Sequence, residues 1–250
     1  YCRGNTMSAI KIYDNFSNCG IKNRKVTQGI EFEMVQEFID YREEKFKEKD
    51  DNKLAIFIET KINNNYPDIM FVEFNPNVYT AWTKKRNDLN INDLKILNYI
   101  IKHKNITSQK IVKQLSLNYK DLLFSLEKLF DANLIERKNQ TWVKTNSQFI
   151  GVKKIEAVEA KINKWDTVVQ QALLNKSFAS QSSILYKRKS TPCEEVIEKV
   201  QSFGLGIYLY NDNSFSKCIS PKTKKFPCDY NSLYINELIG KLLYSDEVYI

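Results

Sequence analysis

Residues 153–162, Lys-Lys-Ile-Glu-Ala-Val-Glu-Ala-Lys-Ile, set Glu156, Glu159 and Lys161 into a stretch that otherwise reads as a buried strand. A strand needs no charges for stability, and a charge buried without a partner is costly, so these side chains face a wet groove or share one with a cation. Strand alternation puts Glu159 and Lys161 on one face and Glu156 on the other. A further acid, Asp68, follows Pro67 and precedes the apolar run 69–74. Carboxylate oxygens at Asp68 and Glu159 are suited to Mg²⁺, which keeps several waters and accepts phosphate oxygens. Beside them Lys161 can orient or deprotonate a water and offset developing charge. Together these residue types could hold a divalent cation beside a fixed positive charge. A cross-strand ion pair and a turn aspartate would account for the same residues without any function.

The rest of the composition narrows the chemistry. The 250 residues contain a single histidine, His103, in a polar segment, and no Cys-x-x-Cys pair among five cysteines. Zinc sites and nucleophile–histidine dyads are therefore disfavoured, which leaves carboxylate, lysine and metal. The net charge of +8 suits a polyanionic partner such as DNA or a plain solubility surplus. The odd cysteine count and the lack of a signal-like segment lead to the expectation of a reducing, cytoplasmic setting. No apolar run approaches membrane-spanning length, so no membrane partner is expected.

The elements that must position these residues are readable from periodicity. Residues 27–49 form an amphipathic pattern through Ile30, Met34, Val35, Phe38, Ile39 and Tyr41, with Thr27 as a candidate N-cap. Short apolar runs at 54–62 and 69–74 predict strands joined by the turn at 63–68. Residues 85–147 change character: three amphipathic segments are followed by two short strands around Lys138-Asn139-Gln140, a hairpin signal. The third helical segment repeats Leu122, Leu123, Leu126, Leu129 and Phe130 as its apolar face. Beyond 148 the pattern predicts a strand carrying Glu159, a helix from about 163, a strand from about 182, and a helix with a Thr191–Glu194 capping box and Pro192 at its first position. A last strand at 204–211 and a closing helix follow.

With the helical block set aside, the order helix, strand, strand, strand, helix, strand, together with Pro67-Asp68 and Glu159-Ala160-Lys161, resembles the PD-(D/E)XK nuclease superfamily. The helix after the lysine, with its Trp165, Gln171-Ala172 and Phe178-Ala179, is also similar to segments in that superfamily. The resemblance implies an α/β restriction-endonuclease-like fold, a central mixed sheet flanked by helices, in two parts, 7–84 and 148–250. It implies Mg²⁺, or Mn²⁺ in its place, held by Asp68, Glu159 and the carbonyl of Ala160, with Lys161 and Gln171 in the site. Some members add an acid from the first helix; Glu31 and Glu33 are both available, and Glu33 is the expected one. Where the family commonly has a short hairpin, 91 residues separate Asp68 from Glu159 here. An inserted block with its ends close together would account for that gap.

That block, 85–147, resembles a winged helix-turn-helix in its order of elements. Between residues 88 and 145 ten lysines and arginines stand against six acids. Tyr119, Lys120, Ser125 and Lys128 on the third helix and Lys138 on the wing are candidates to reach DNA. The runs Lys84-Lys85-Arg86 and Lys187-Arg188-Lys189 flank the site elements and would line a basic channel, or else lie as ordinary solvated surface. The combined expectation is a Mg²⁺-dependent DNA endonuclease in a restriction or mobile-element setting, with a homodimer as one way to cut two strands. Two rivals stay open: a DNA-binding regulator on an inactive nuclease fold, and a subunit that cuts only when a partner recruits it. Winged helices also dock proteins, so the block has that alternative too.

Overall fold

The computed structural model describes residues 10–12, 19–25, 28–188, 192–211 and 214–245. Its centre is a mixed seven-stranded sheet in the order β1-β2-β3-β6-β7-β8-β9. The strands are β1 (Ile10–Ile12), β2 (Lys53–Ile58), β3 (Ile69–Phe74), β6 (Val152–Lys161), β7 (Gln181–Lys187), β8 (Gly206–Asn211) and β9 (Ser214–Ile219). β2, β3 and β6 pair antiparallel, β6, β7 and β8 run parallel, and β9 closes one edge antiparallel. The chain is thus an α/β protein with helices on both faces of a mixed sheet.

Alternation along the strands explains both faces. Ile56, Ile58, Ile69, Phe71, Val158 and Ala160 bury against helix α1 (Ile30–Lys45), through Met34, Val35, Phe38 and Ile39. The intervening Phe57, Met70, Val72, Ile155 and Ala157 face the other way, against Ile235, Leu238 and Ile239 of the closing helix α8 (Tyr230–Tyr244). Beside α8, the helices α6 (Trp165–Asn175) and α7 (Glu194–Phe203) cover Ile184 and Ile207. Central strands apolar on both faces are what a sheet covered twice requires.

Several boundaries differ from expectation. α1 starts after Gly29 without a side-chain cap, and Thr27 lies outside the described residues. Ile30 is exposed rather than part of the apolar face. β2 stops at Ile58 because Glu59 turns out of the strand at φ 51°. α7 begins at Glu194, so Pro192 precedes the helix, Cys193 occupies the N-cap position, and Thr191 lies outside the described residues. β9 is an edge strand with mostly exposed side chains, so it lacks the apolar run that announces a strand.

Between β3 and β6 the chain leaves the sheet. It makes a 3-10 turn (Pro76–Tyr79), a short α2 (Lys84–Asn87), then α3 (Ile91–Lys102), α4 (Ser108–Leu115), α5 (Tyr119–Asp131) and the hairpin of β4 (Ile135–Lys138) and β5 (Thr141–Lys144). Asn139 and Gln140 both take positive φ, as a two-residue hairpin turn demands. Asn90, Thr107 and Asn118 cap α3, α4 and α5 through their side-chain oxygens. These helices share a core of their own with Leu97, Ile111, Leu122 and Leu126 at its centre. Leu123 and Phe130, expected inward, are 52 % and 53 % exposed; Leu122, Leu126 and Leu129 form the buried stripe together with Ser125.

Both ends of this excursion are fastened to α8. The Arg86 Nε and Nη2 each donate to Glu237 at 2.8 Å, and Nη2 also donates to the Phe149 carbonyl at 2.7 Å. Asn236 Oδ1 accepts from the N–H groups of Gly151 and Val152 and from the Tyr79 hydroxyl. Phe74 pairs with Val152, so the two ends meet in the sheet itself. Two glycines permit the approach: a Cβ on Gly151 would stand 2.3 Å from the Tyr79 ring, and one on Gly240 2.0 Å from Trp82. Arg86, expected on a basic surface, is instead buried with an acid.

Arg86→Met should destabilise the protein by about 3–5 kcal/mol, because it leaves Glu237 buried and unpaired. The double substitution Arg86→Met with Glu237→Leu should recover part of that loss. Urea denaturation of the three proteins checks both outcomes.

Candidate active site

The sheet register lines up three acids. Ile58 pairs with Ile69, and Ile69 with Val158. One residue further along each strand stand Glu59, Asp68 and Glu159, side by side across β2, β3 and β6. The Glu59 N–H donates to the Asp68 carbonyl at 3.2 Å, which carries the pairing past the end of β2. Neighbouring strands lie about 4.8 Å apart, which brings Asp68 beside Glu159, and the backbone bond holds Glu59, turned out of β2, next to Asp68.

Asp68 and Glu159 are 7 % and 2 % exposed. Asp68 Oδ2 accepts from the Ala160 N–H at 2.7 Å. Glu159 Oε1 accepts from Asn175 Nδ2 at 2.6 Å, while its Oε2 is buried with no partner. Burial raises the pKa of Asp68, and the charge of Glu31 adds to it; Lys161, the Ala160 N–H and Arg24 pull the other way. Burial also raises Glu159 well above the usual carboxylate range, with Asp68 next in weight. Glu59 is pushed up to about 7, first by burial and then by Asp68, against the pull of Arg24. All three shifts share one cause: carboxylates gathered where water is scarce and cations few.

Lys161 ends β6. Its Nζ reaches Glu31 Oε1 at 2.5 Å, on the helix that covers the opposite face of the sheet. Burial lowers its pKa, but Asp68, the hydrogen bond and charge of Glu31, and Glu159 outweigh that, so the net shift is upward. A lysine held charged in this way can supply positive charge and a hydrogen bond. It is badly placed to be a base.

A cleft of about 370 Å³ opens over this end of the sheet, between Glu31 and Val35 of α1 on one side and Arg24, Glu59, Asp68 and Lys161 on the other. A second cavity of about 210 Å³ lies beside it, lined by Tyr66, Glu159, Gln171 and Asn175 among others. Gln171 therefore shares a cavity with Glu159, one helical turn from Asn175. Glu33 is exposed on α1, and Glu31 is the helix acid that reaches the cleft. Glu156 belongs elsewhere. It is bound by Arg42 at 2.9 Å, by Ser183 and by Tyr208 beneath α1.

Three residues of this site were not read from the sequence. Counting back from Asp68 across the turn would have found Glu59 as its cross-strand neighbour. Asn175 is the i+4 neighbour of Gln171. Arg24 sits in a loop and carries no signal. Among the described residues no group of three or more His, Cys, Asp or Glu side chains stands in metal-holding geometry. Asp68 lines the larger cleft and Glu159 the smaller cavity, so the two acids face adjoining spaces.

The other predicted contacts are scattered. Tyr119 and Lys120 are exposed on α5, with Lys120 Nζ 5.9 Å from the Phe124 ring. Lys128 pairs with buried Asp93 at 3.6 Å, and Lys138 pairs with Glu136 at 2.8 Å. Ser125 is largely buried and lines a cavity of about 210 Å³ with Asp93, Asp121 and Lys128. Lys187 lies 5.7 Å from the Tyr210 ring, Arg188 is exposed, and Lys189 lies outside the described residues. No helix among the described residues is long and apolar enough to cross a membrane.

Comparison with known protein families, characterised proteins and solved structures gives no match for this chain. What is established is the class of fold, α/β with a mixed sheet, and two buried acids, Asp68 and Glu159, with Glu59 and Lys161 beside them at one end of it.

Glu59 binds a proton more tightly folded than unfolded, so the native state holds the extra proton between about pH 4.5 and 7. Stability measured in EDTA should fall as pH rises through that window. Glu59→Gln removes this titration and should flatten the slope there; thermal melts from pH 4 to 8 provide the comparison.

Proposed function

We propose that the chain is a divalent-cation-dependent nuclease of PD-(D/E)XK type, cutting DNA phosphodiesters. On this reading the sheet with α1 and α6 is a restriction-endonuclease-like core, and residues 85–147 are an inserted winged helix-turn-helix. The observation that carries it is the Asp68–Glu159 pair: two buried carboxylates on adjacent strands, one oxygen without a partner, beside a charged lysine.

These residues fit the ion that the reading requires. Mg²⁺ commonly takes one or two carboxylates and fills its remaining positions with water and phosphate oxygens. Asp68, Glu159 and the Ala160 carbonyl would hold it, and when bound it supplies a polarised phosphate and an activated water. The Ala160 N–H fixes one Asp68 oxygen, and Asn175 fixes one Glu159 oxygen, so both carboxylates are oriented before substrate arrives. Lys161 places its charge where negative charge develops on the phosphate oxygens. Glu31 keeps Lys161 protonated and directs it. Gln171 lies close enough to Glu159 to position a water in the smaller cavity.

A second reading of the inserted block has its own observation. α5 exposes Leu123, Phe124 and Phe130, where a helix reading base edges would carry polar side chains. The net positive charge of the block supports DNA; this apolar surface supports a docked protein, as in a nuclease subunit recruited by a partner.

Purified protein should nick or cut plasmid DNA in Mg²⁺ or Mn²⁺ and not in EDTA. Asp68→Ala and Lys161→Ala should each lower the rate by at least about a hundredfold. Glu31→Gln should lower it, and Glu33→Gln should leave it unchanged. Cleavage that survives both Asp68→Ala and Lys161→Ala removes the assignment. Metal-independent DNA binding by a protein that never cuts would favour the regulator.

A further inference from the structure

Arg24 has a position that neither the family resemblance nor the acid row explains. It lines both the 370 Å³ cleft and the 210 Å³ cavity, so it stands at the boundary between them. Its backbone is held there: the Arg24 N–H donates to the Glu59 carbonyl at 2.8 Å, and the Lys61 N–H donates to the Lys22 carbonyl at 2.8 Å. The buried Thr60 hydroxyl donates to Asn23 Oδ1 at 2.8 Å. The side chain is different. Its Nε and Nη2 both donate to a single oxygen of Glu59, at 3.0 and 2.7 Å, and the side chain stays 55 % exposed.

A guanidinium carries five N–H donors in a planar fork that matches phosphate geometry. Two are spent on Glu59. The other cation directed at the acid row, Lys161, is tied to Glu31 and is 21 % exposed. The exposed Lys25 lines only the larger cleft, whereas Arg24 lines both, so an anion spanning the two meets Arg24 between them, with a cavity on either side for the groups that flank it. We infer that Arg24 binds the phosphate of the substrate, bridging Glu59 and a phosphate oxygen, with the chain of the nucleic acid running from one cavity into the other. This rests on the nuclease reading and adds the residue that receives the phosphodiester.

The competing role is structural: Arg24 would only neutralise Glu59. Four variants separate the two, Arg24→Ala, Arg24→Lys, Glu59→Gln and the double Arg24→Ala with Glu59→Gln. Binding of a fluorescent oligonucleotide in EDTA and steady-state cleavage in Mg²⁺ are the measurements, with melting temperatures as the folding control. Arg24→Ala should weaken binding about tenfold or more and raise KM more than it lowers kcat. Arg24→Lys should restore part of the loss, and Glu59→Gln should not rescue Arg24→Ala. Unchanged binding by Arg24→Ala, or full rescue in the double variant, overturns the inference while cleavage by the unmodified protein upholds the nuclease reading. Absence of any cleavage by the unmodified protein in Mg²⁺ and Mn²⁺ overturns the nuclease reading, and the inference with it.

Discussion

The pairing of β3 with β6 is the constraint on which the site depends. These strands are separated in sequence by the whole excursion from Asn75 to Gly151, yet they lie antiparallel with Phe74 opposite Val152. A slip of one residue would turn Asp68 away from Glu159, because side chains alternate with a period of two. Two things hold the register. Ile69, Phe71, Val158 and Ala160 must face α1, which fixes the pleat. The Arg86–Glu237 and Asn236 contacts fix where the two ends of the excursion meet. A long insertion adds little closure entropy when its ends are fastened together. Here the fastening is a buried ion pair, in which each partner is costly without the other.

That geometry creates an electrostatic problem at the far end of the same strands. Glu59, Asp68 and Glu159 are brought close to one another, Asp68 and Glu159 buried and Glu59 partly exposed, with Lys161 and Arg24 as the cations beside them. Burial first, and the neighbouring acids second, push all three carboxylates upward. A fold selected for stability alone would gain by replacing one of these acids with an apolar side chain of similar size. Carboxylates shifted by burial and by one another cluster at functional sites. Glu156 is the contrast. It is equally buried, yet Arg42, Ser183 and Tyr208 satisfy it and its pKa is lowered despite burial.

Much of this was legible in the sequence, for physical reasons. Glu159 and Lys161 stand out because charges interrupt a run that is otherwise apolar, whereas Asp68, in the turn before its strand, and Gln171 were singled out only through the family resemblance. β3 and β6, buried on both faces, announce themselves by composition. What stayed hidden depends on tertiary register or on competition between partners. Glu31 and Glu33 are two residues apart on a helix, and only the direction from which Lys161 approaches decides between them. Arg86 belongs to a basic triplet that looks solvated until Glu237, 151 residues later, is seen to meet it. β9 and the Arg24 segment hold their places by backbone hydrogen bonds to neighbours, and such bonds leave little trace in side-chain pattern.

The placement of the inserted block bears on how it would serve the core. The chain leaves β3 at Phe74 and rejoins β6 at Val152, whereas the acids lie at Asp68 and Glu159, the other end of the same strands. Six residues of strand separate Phe74 from Asp68, about 20 Å at the usual rise. The block therefore adds no side chain to the acid row. Any duplex it gripped would have to extend at least about 20 Å along the sheet to reach the cleft, roughly six base pairs at 3.4 Å each. The rigid mounting on α8 makes that spacing a property of the fold, since Arg86, Glu237 and Asn236 join the block to the core without a flexible tether. The same mounting serves a docked protein equally well, by holding the apolar face of α5 at a fixed distance from the acids. In either case strand length sets the separation: one end of β3 and β6 carries the acids and Lys161, and the other carries the helical block.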